Sequence, residues 1–226
     1  MKNILTIAIF IFTTFNALSQ KATTHELEKF TEVKVFDRIE VTLIKSNENK
    51  IVITGEDRDD VVVSNTKGLL KVRMEFENQM DGGDVVAKLY YSETLTLIDS
   101  NEGAKILSTD TFKTDALRIA VQEGGKVIMK VDADELDLKS TSGAEITLTG
   151  NAKTQKALAN SGGKVYNKKL NTQNTEITVN AGGRADVKAS DKVIAKVRAG
   201  GSIYIYGNPK EVDSNKVFGG KIEVVD

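Results

Sequence analysis

Seven times between Asn101 and Asp226 the chain returns to a short turn built on glycine, at Gly103, Gly124, Gly143, Gly162, Gly182, Gly200 and Gly219, at intervals of 18 to 21 residues. A fixed interval of that length, with short alternating segments on both sides, marks a β-solenoid in which every repeat forms one coil. A single coil cannot bury its own apolar face, so the period itself demands stacking. The expected fold is all-β: a single-domain β-solenoid, read as a right-handed parallel β-helix of about seven coils of 18–21 residues with an N-terminal β cap.

The repeat is legible position by position. Val127 and Met129, Ile146 and Leu148, Ala185 and Val187, Ile203 and Ile205, and Ile222 and Val224 stand third and fifth after a turn glycine. Ahead of the glycine the same parity holds at Val121, Ile119 and Leu117, and again at Val197, Ala195 and Val193. Period two describes a strand with one buried face. Lys126, Glu145, Arg184, Lys196 and Lys221 fall between these positions and make the other face wet. The pattern predicts one interior column through Val127, Ile146, Val165, Ala185, Ile203 and Ile222. Ser108, Ser140 and Asn167 also fall on inward positions, which predicts a corner or an internal hydrogen-bonded ladder, because buried polar groups need partners.

Glycine suits these turns because it takes positive φ without a Cβ clash. A phosphate cradle is the competing use of paired glycines, but the chain has no GxxxxGKS/T or GxGxxG, and no helix-forming stretch follows any turn. Asn160 and Asn180 stand two residues before the glycine in adjacent coils, between Thr141 and Arg198. They predict a polar column of stacked amides at the turn edge. With Tyr166 and Tyr204 beyond the turn, the same edge is a candidate glycan-facing strip.

Residues 1–19 read as a cleaved signal peptide: Met1-Lys2-Asn3 is a basic start, Ile4 to Phe15 an apolar run, and Ala17-Leu18-Ser19 a small-x-small site. The run is shorter than the ~20 residues that span a bilayer, so no membrane span is expected after cleavage. Residues 20–30 form an N-terminal tail whose one helical signal is Thr24 to Phe30, residues 31–98 supply capping and entry strands, and residues 99–226 the regular coils of one domain from 31 to 226. An exported, periplasmic or surface location follows. The chain has no cysteine, so packing and backbone hydrogen bonds alone must hold the fold together.

Phe36-Asp37-Arg38-Ile39-Glu40-Val41, the turns Ser142-Gly143-Ala144 and Ser161-Gly162-Gly163, and the late Ile203-Tyr204-Ile205-Tyr206-Gly207-Asn208-Pro209 resemble the head GIN domain family of auto-transporter adhesins. The resemblance runs from about Phe30 to Asp226. It implies a β-helical fold in a secreted or envelope-associated protein, an adhesin-like role and no catalytic residues.

The chemistry-bearing residues agree with a binding module rather than an enzyme. The one histidine, His25, cannot build a metal site alone, and Cys/His nucleophiles are ruled out by composition. Asp57-Arg58-Asp59-Asp60, Asp81-Gly82-Gly83-Asp84 and Asp132-Ala133-Asp134-Glu135 match no calcium-loop spacing, so no metal or cofactor is expected. A polysaccharide-cleaving β-helix is the enzymatic alternative, with Asp186 and Glu223 two coils apart as its only paired carboxylates. A net charge of −1 argues against nucleic acid. The expected partners are a glycan or an envelope protein; the alternative role is a scaffold or homo-oligomeric subunit of an envelope complex.

Overall fold

The computed structural model describes residues 21–225, so the segment 1–19, expected to be a signal peptide, lies outside the described residues. Eight strands precede the regular coils: β1 (Ala22–Glu26), β2 (Glu32–Val35), β3 (Glu40–Lys45), β4 (Lys50–Thr54), β5 (Val61–Thr66), β6 (Leu69–Met74), β7 (Val86–Tyr91) and β8 (Leu97–Ser100). The coils follow as β9 (Lys105–Val121), β10 (Lys126–Thr141), β11 (Glu145–Asn160), β12 (Lys164–Tyr166), β13 (Lys169–Asn180), β14 (Arg184–Arg198), β15 (Ser202–Tyr206), β16 (Glu211–Val217) and β17 (Lys221–Val224).

From β8 onward every pairing is parallel. Each turn glycine separates a strand that ends at the turn from one that leaves it, and stacking gives a pre-turn and a post-turn sheet. Pairing puts Val127 opposite Ile146, Ile146 opposite Val165, Val165 opposite Ala185, Ala185 opposite Ile203, and Ile203 opposite Ile222. This is the predicted column, and its first five members are fully buried. Each valine or isoleucine of the column contributes about 1.5–3 kcal/mol of burial.

The long strands also turn a corner that the period does not announce. In β10 the inward positions run Val127, Met129, Val131, Ala133 and then Leu136, Leu138, Ser140, so parity switches between Ala133 and Leu136. In the next coil Gly150 pairs with Val131, ahead of this corner, and a Cβ there would lie 2.1 Å from the Val131 carbonyl oxygen.

The cap is built by folding back. β2 and β3 form a first rung that pairs in parallel with β8 and β9. On the other side of that rung β6 and β7 add another parallel layer. β4 pairs antiparallel to β7, β1 antiparallel to β4, and β5 antiparallel to β6, which closes this end with reversed strands. Residues 22–26, expected in a tail with a helical signal from Thr24, are therefore strand β1. The free edge of β4 and two β-branched residues, Thr23 and Thr24, outweigh a weak helical start.

Of the polar inward positions, Ser140 and Asn167 are fully buried and hydrogen-bonded. Ser140 Oγ donates to the Ala144 carbonyl at 2.8 Å and accepts the Lys164 amide at 3.1 Å. Asn167 Oδ1 accepts the Leu148 amide at 2.9 Å while its Nδ2 donates to Gln155 Oε1 at 2.6 Å. Ser108 is instead half-buried at an irregularity where the β9–β10 register shifts.

Candidate functional site

The turns set the edge of the surface. All seven glycines take positive φ, from 73° at Gly162 to 84° at Gly219, as their spacing predicts. The residue ahead of each is left-handed too, at 50° for Ser161 and 54° for Glu123, so two consecutive positions have positive φ, as in a type I′ turn. The Gly163 amide closes one such turn on the Asn160 carbonyl at 2.9 Å. Rungs are tied through the turns as well, since Gly162 N donates to Ala181 O and Gly143 N to Ser161 O, both at 3.1 Å. An eighth turn of this shape, Phe36-Asp37-Arg38-Ile39, has no glycine and escapes the period; Asp37 and Arg38 have φ of 59° and 63°.

The column ahead of the turn glycines reads Asp37, Glu102, Glu123, Ser142, Ser161, Ala181, Ala199 and Phe218. Its acidic end is electrostatically crowded. Partial burial, a hydrogen bond with Asp37 and the charges of Asp37 and Glu123 push the Glu102 carboxyl above the usual carboxylate range. Asp37 itself is buried, and its Oδ2 accepts the Met74 amide at 3.0 Å.

Tyr166, Asp186, Tyr204 and Glu223 share one outward column on the post-turn sheet. Arg184 binds Asp186 at 3.2 Å, and its guanidinium carbon lies 4.8 Å from the Tyr204 ring centroid and 5.7 Å from that of Tyr166. Lys221 approaches Tyr204 at 5.2 Å and pairs with Glu223 at 2.6 Å. Both rings therefore already hold cations, and each carboxylate of the Asp186/Glu223 pair is bound to its own base. Hydrogen bonding to Asp186 raises the Arg184 pKa.

Asn160 and Asn180 take equivalent rungs of the pre-turn sheet, opposite Thr141 and Arg198 respectively, so the expected column exists. The expected amide ladder does not form: Asn180 Oδ1 is buried without a hydrogen-bond partner. An amide pair forms instead between Asn171 Nδ2 and Asn151 Oδ1, at 3.1 Å. In the pre-turn strand Asn160 and Asn180 each close a turn through their carbonyls, which fixes the backbone and leaves the side chains to the sheet surface. The two asparagines and the two tyrosines thus stand on different sheets, on either side of the turn.

A concave feature that the repeat does not announce lies on the pre-turn sheet. A groove of about 580 Å³ crosses the rungs from β9 to β14, with Leu117, Leu136 and Ile194 among its apolar lining. Arg118, Lys156 and Lys192 alternate with Glu135, Asp137 and Glu176 along it. A second groove of about 350 Å³ shares Arg118, Asp137, Lys156 and Glu176 and reaches Asn180 and Arg198. The parity switch at the corner creates this hollow, so a single-parity reading of the repeat cannot anticipate it. Among the described residues no three His, Cys, Asp or Glu side chains gather as a metal site, and no helix is long and apolar enough to cross a membrane.

A capped parallel β-solenoid with serial left-handed turns and a groove along one sheet defines the class of protein. The chain belongs to the family described as "Putative auto-transporter adhesin, head GIN domain", which matches residues 29–209 and so stops short of β16 and β17. A "putative adhesin" from Bacteroides fragilis has the same fold, with a TM-score of 0.84, 18% identity, and 92% of this chain and 98% of that one covered. A "putative adhesin" from Parabacteroides distasonis superimposes with a TM-score of 0.71 at 18% identity, covering 91% and 96% of the two chains. A "Putative lipid binding protein" from Parabacteroides distasonis does so with a TM-score of 0.67 at 16% identity, covering 91% and 97%. No curated protein matches the chain.

Proposed function

We propose that the protein is a non-catalytic binding module of the bacterial envelope, exported to the periplasm or surface, and that its ligand lies along the groove of the pre-turn sheet. The observation that carries this reading is the groove: an apolar floor between three cations (Arg118, Lys156, Lys192) and three carboxylates (Glu135, Asp137, Glu176). Balanced charge exerts little net pull on an ion, so an uncharged extended chain such as a neutral glycan fits the rim. The adhesin description of the family supports the same reading. A second reading, an acyl chain, is favoured by the aliphatic floor, since no aromatic side chain lines the groove. The structural neighbour titled a lipid-binding protein is in keeping with it.

The test is binding of purified residues 21–226 to a glycan array and to a fluorescent fatty acid, repeated with Thr154→Trp and Lys130→Trp. Thr154 is exposed and lines the groove, whereas Lys130 is exposed outside it. Loss of glycan binding with Thr154→Trp alone supports the first reading, and loss of fatty-acid binding alone the second. Binding that survives Thr154→Trp overturns the groove as the site. Recovery of one fixed envelope protein with no glycan or lipid bound would favour a scaffold.

A further inference from the structure

The two sheets that meet at the turns arrange charge differently. On the pre-turn sheet one outward column reads Arg118, Asp137, Lys156, Glu176 in register, so every charge faces its opposite. On the post-turn sheet the column beside the turns reads Lys105, Lys126, Glu145, Lys164, Arg184, and base faces base at two of its steps. Like charges set directly opposite on neighbouring strands oppose pairing. Folding does not require this arrangement, since the first sheet shows the same coils avoiding it.

The excess of bases is greatest across the rungs of β12, β14 and β15. Val165, Ala185 and Ile203 are buried, so Lys164 and Tyr166, Arg184 and Asp186, and Tyr204 alternate with them on the outer face. Lys188 continues the second of these rungs and lies opposite Tyr206. Lys168 follows β12 and reaches across to the same ring, its Nζ 5.8 Å from the Tyr206 centroid. Four bases thus surround one carboxylate, Asp186, which Arg184 already holds. Among the described residues Lys164, Lys168 and Lys188 make no ion pair. Two of the bases are pinned as well as unneutralised. Arg184 lies against Tyr166 and Tyr204 with Nε and Nη2 turned to Asp186, which leaves Nη1 without an acceptor among the described residues, and Lys168 rests on Tyr206. A cation seated on a ring has already lost side-chain freedom, so an anion that meets it has less to order.

We propose that this face of the post-turn sheet binds an acidic polysaccharide, one whose sugars carry carboxylates, laid along the strands. The bases form two groups, Lys164 with Arg184 beside the turn and Lys168 with Lys188 four residues further on, about 13 Å apart at the rise of a strand. Successive carboxylates of a chain reach both groups, which a single small anion cannot. Between them stand the hydroxyls of Tyr166, Tyr204 and Tyr206, which can donate to and accept from sugar hydroxyls. A nucleic acid suits the face less well, because the cations lie on the rings where its bases would stack. A bilayer suits it less well too, because the three tyrosines are half-buried and offer no projecting apolar group. The face lies on the other sheet from the groove, so its ligand binds independently of whatever the groove holds.

The test compares acidic chains with their neutral counterpart. Residues 21–226 should bind alginate and polygalacturonate with an affinity that falls as salt is added. Methyl-esterified polygalacturonate, the same backbone without the charges, should bind at least roughly tenfold more weakly. Lys164→Gln combined with Lys188→Gln should weaken binding of the acidic chains about tenfold without lowering the melting temperature, because neither lysine holds an ion pair. Lys71→Gln combined with Lys113→Gln, the same loss of charge at exposed positions of β6 and β9, should leave binding unchanged, and so should Thr154→Trp in the groove. Equal affinity for acid and ester, no binding to either acidic chain, or an equal loss with the Lys71/Lys113 pair overturns the proposal. Binding as tight to single-stranded DNA or to phosphatidylglycerol vesicles also overturns it, since charge alone would then suffice. Loss of the acidic chains with Thr154→Trp would place them in the groove, overturning this face while leaving the groove reading intact.

Discussion

Asn167 and Gln155, both buried, are joined by a 2.6 Å hydrogen bond across the interior of the solenoid. The bond uses only half of the glutamine amide, since Gln155 Nε2 is buried without a partner. Asn167→Leu would also strip the Leu148 amide of its acceptor. Two more unsatisfied groups at about 1–3 kcal/mol each predict a loss of several kcal/mol in urea unfolding. Adding Gln155→Leu should recover part of that loss, because it removes both the stranded oxygen and the orphaned nitrogen. A double variant less stable than the single one would show that the amides are not coupled.

Neighbouring glycines of one turn should respond differently to the same methyl group. At Gly162 a Cβ meets nothing closer than 4.0 Å, so Gly162→Ala carries only the left-handed backbone cost of roughly 1–2 kcal/mol. At Gly163 a Cβ would lie 2.2 Å from the Ser140 carbonyl oxygen, and backbone would have to move. Gly163→Ala is therefore the more damaging change, although φ there is not positive. Equal melting temperatures for the two variants would contradict the close approach of the rungs.

The acidic end of the turn column predicts a pH dependence of definite sign. Glu102 holds its proton more tightly folded than unfolded, so its ionisation opposes folding above the raised pKa, and stability is regained as pH falls through that value. Glu102→Gln should raise the melting temperature near neutral pH and flatten its rise on mild acidification. A variant that loses stability at pH 7 would show that the ionised carboxylate is useful where it stands, for instance against Arg38 in the adjoining turn.

Arg184 should matter more than an exposed base usually does. Its removal leaves Asp186, whose side chain is 9% exposed, without its cation, and frees the faces of Tyr166 and Tyr204. Arg184→Ala should destabilise by about 1 kcal/mol or somewhat more, with the half-exposed guanidinium tempering the cost. Arg184→Lys should recover little, because an ammonium cannot both grip the carboxylate and lie flat on two rings. Full recovery by lysine would reduce the contact to simple charge.

What the sequence discloses is whatever repeats. The glycine period and period-two alternation give the interior column from Val127 to Ile222, and the inward Ser140 and Asn167 announce internal hydrogen bonding. Features that occur once, or depend on joining two half-repeats, are hidden. The turn at Asp37-Arg38 lacks the glycine signal, the strand at Ala22–Glu26 exists only because β4 offers an edge, and the corner between Ala133 and Leu136 changes parity silently. The candidate site suffers most. Asn160 and Asn180 lie on the pre-turn sheet and Tyr166 and Tyr204 on the post-turn sheet, and a linear count cannot tell that a left-handed turn separates the pairs. Nor does it reveal that a corner hollows out a groove elsewhere.

The fold-back of the cap also sets an order of assembly. Successive coils meet after short excursions, as when Leu148 bonds Asn167 across 19 residues, whereas Glu40 waits for Lys105 across 65. Closing the longer loop costs only about 1 kcal/mol more, yet it becomes useful only when coil β9 already exists to receive β3. The part of the chain made first is thus completed late: the stack beyond Lys105 can form and lengthen by itself, and the N-terminal strands then seal it. Pulse-labelled amide exchange during refolding should find Val127 and Ile146 protected before Val41. Simultaneous protection would mean that the cap nucleates the stack instead of closing it.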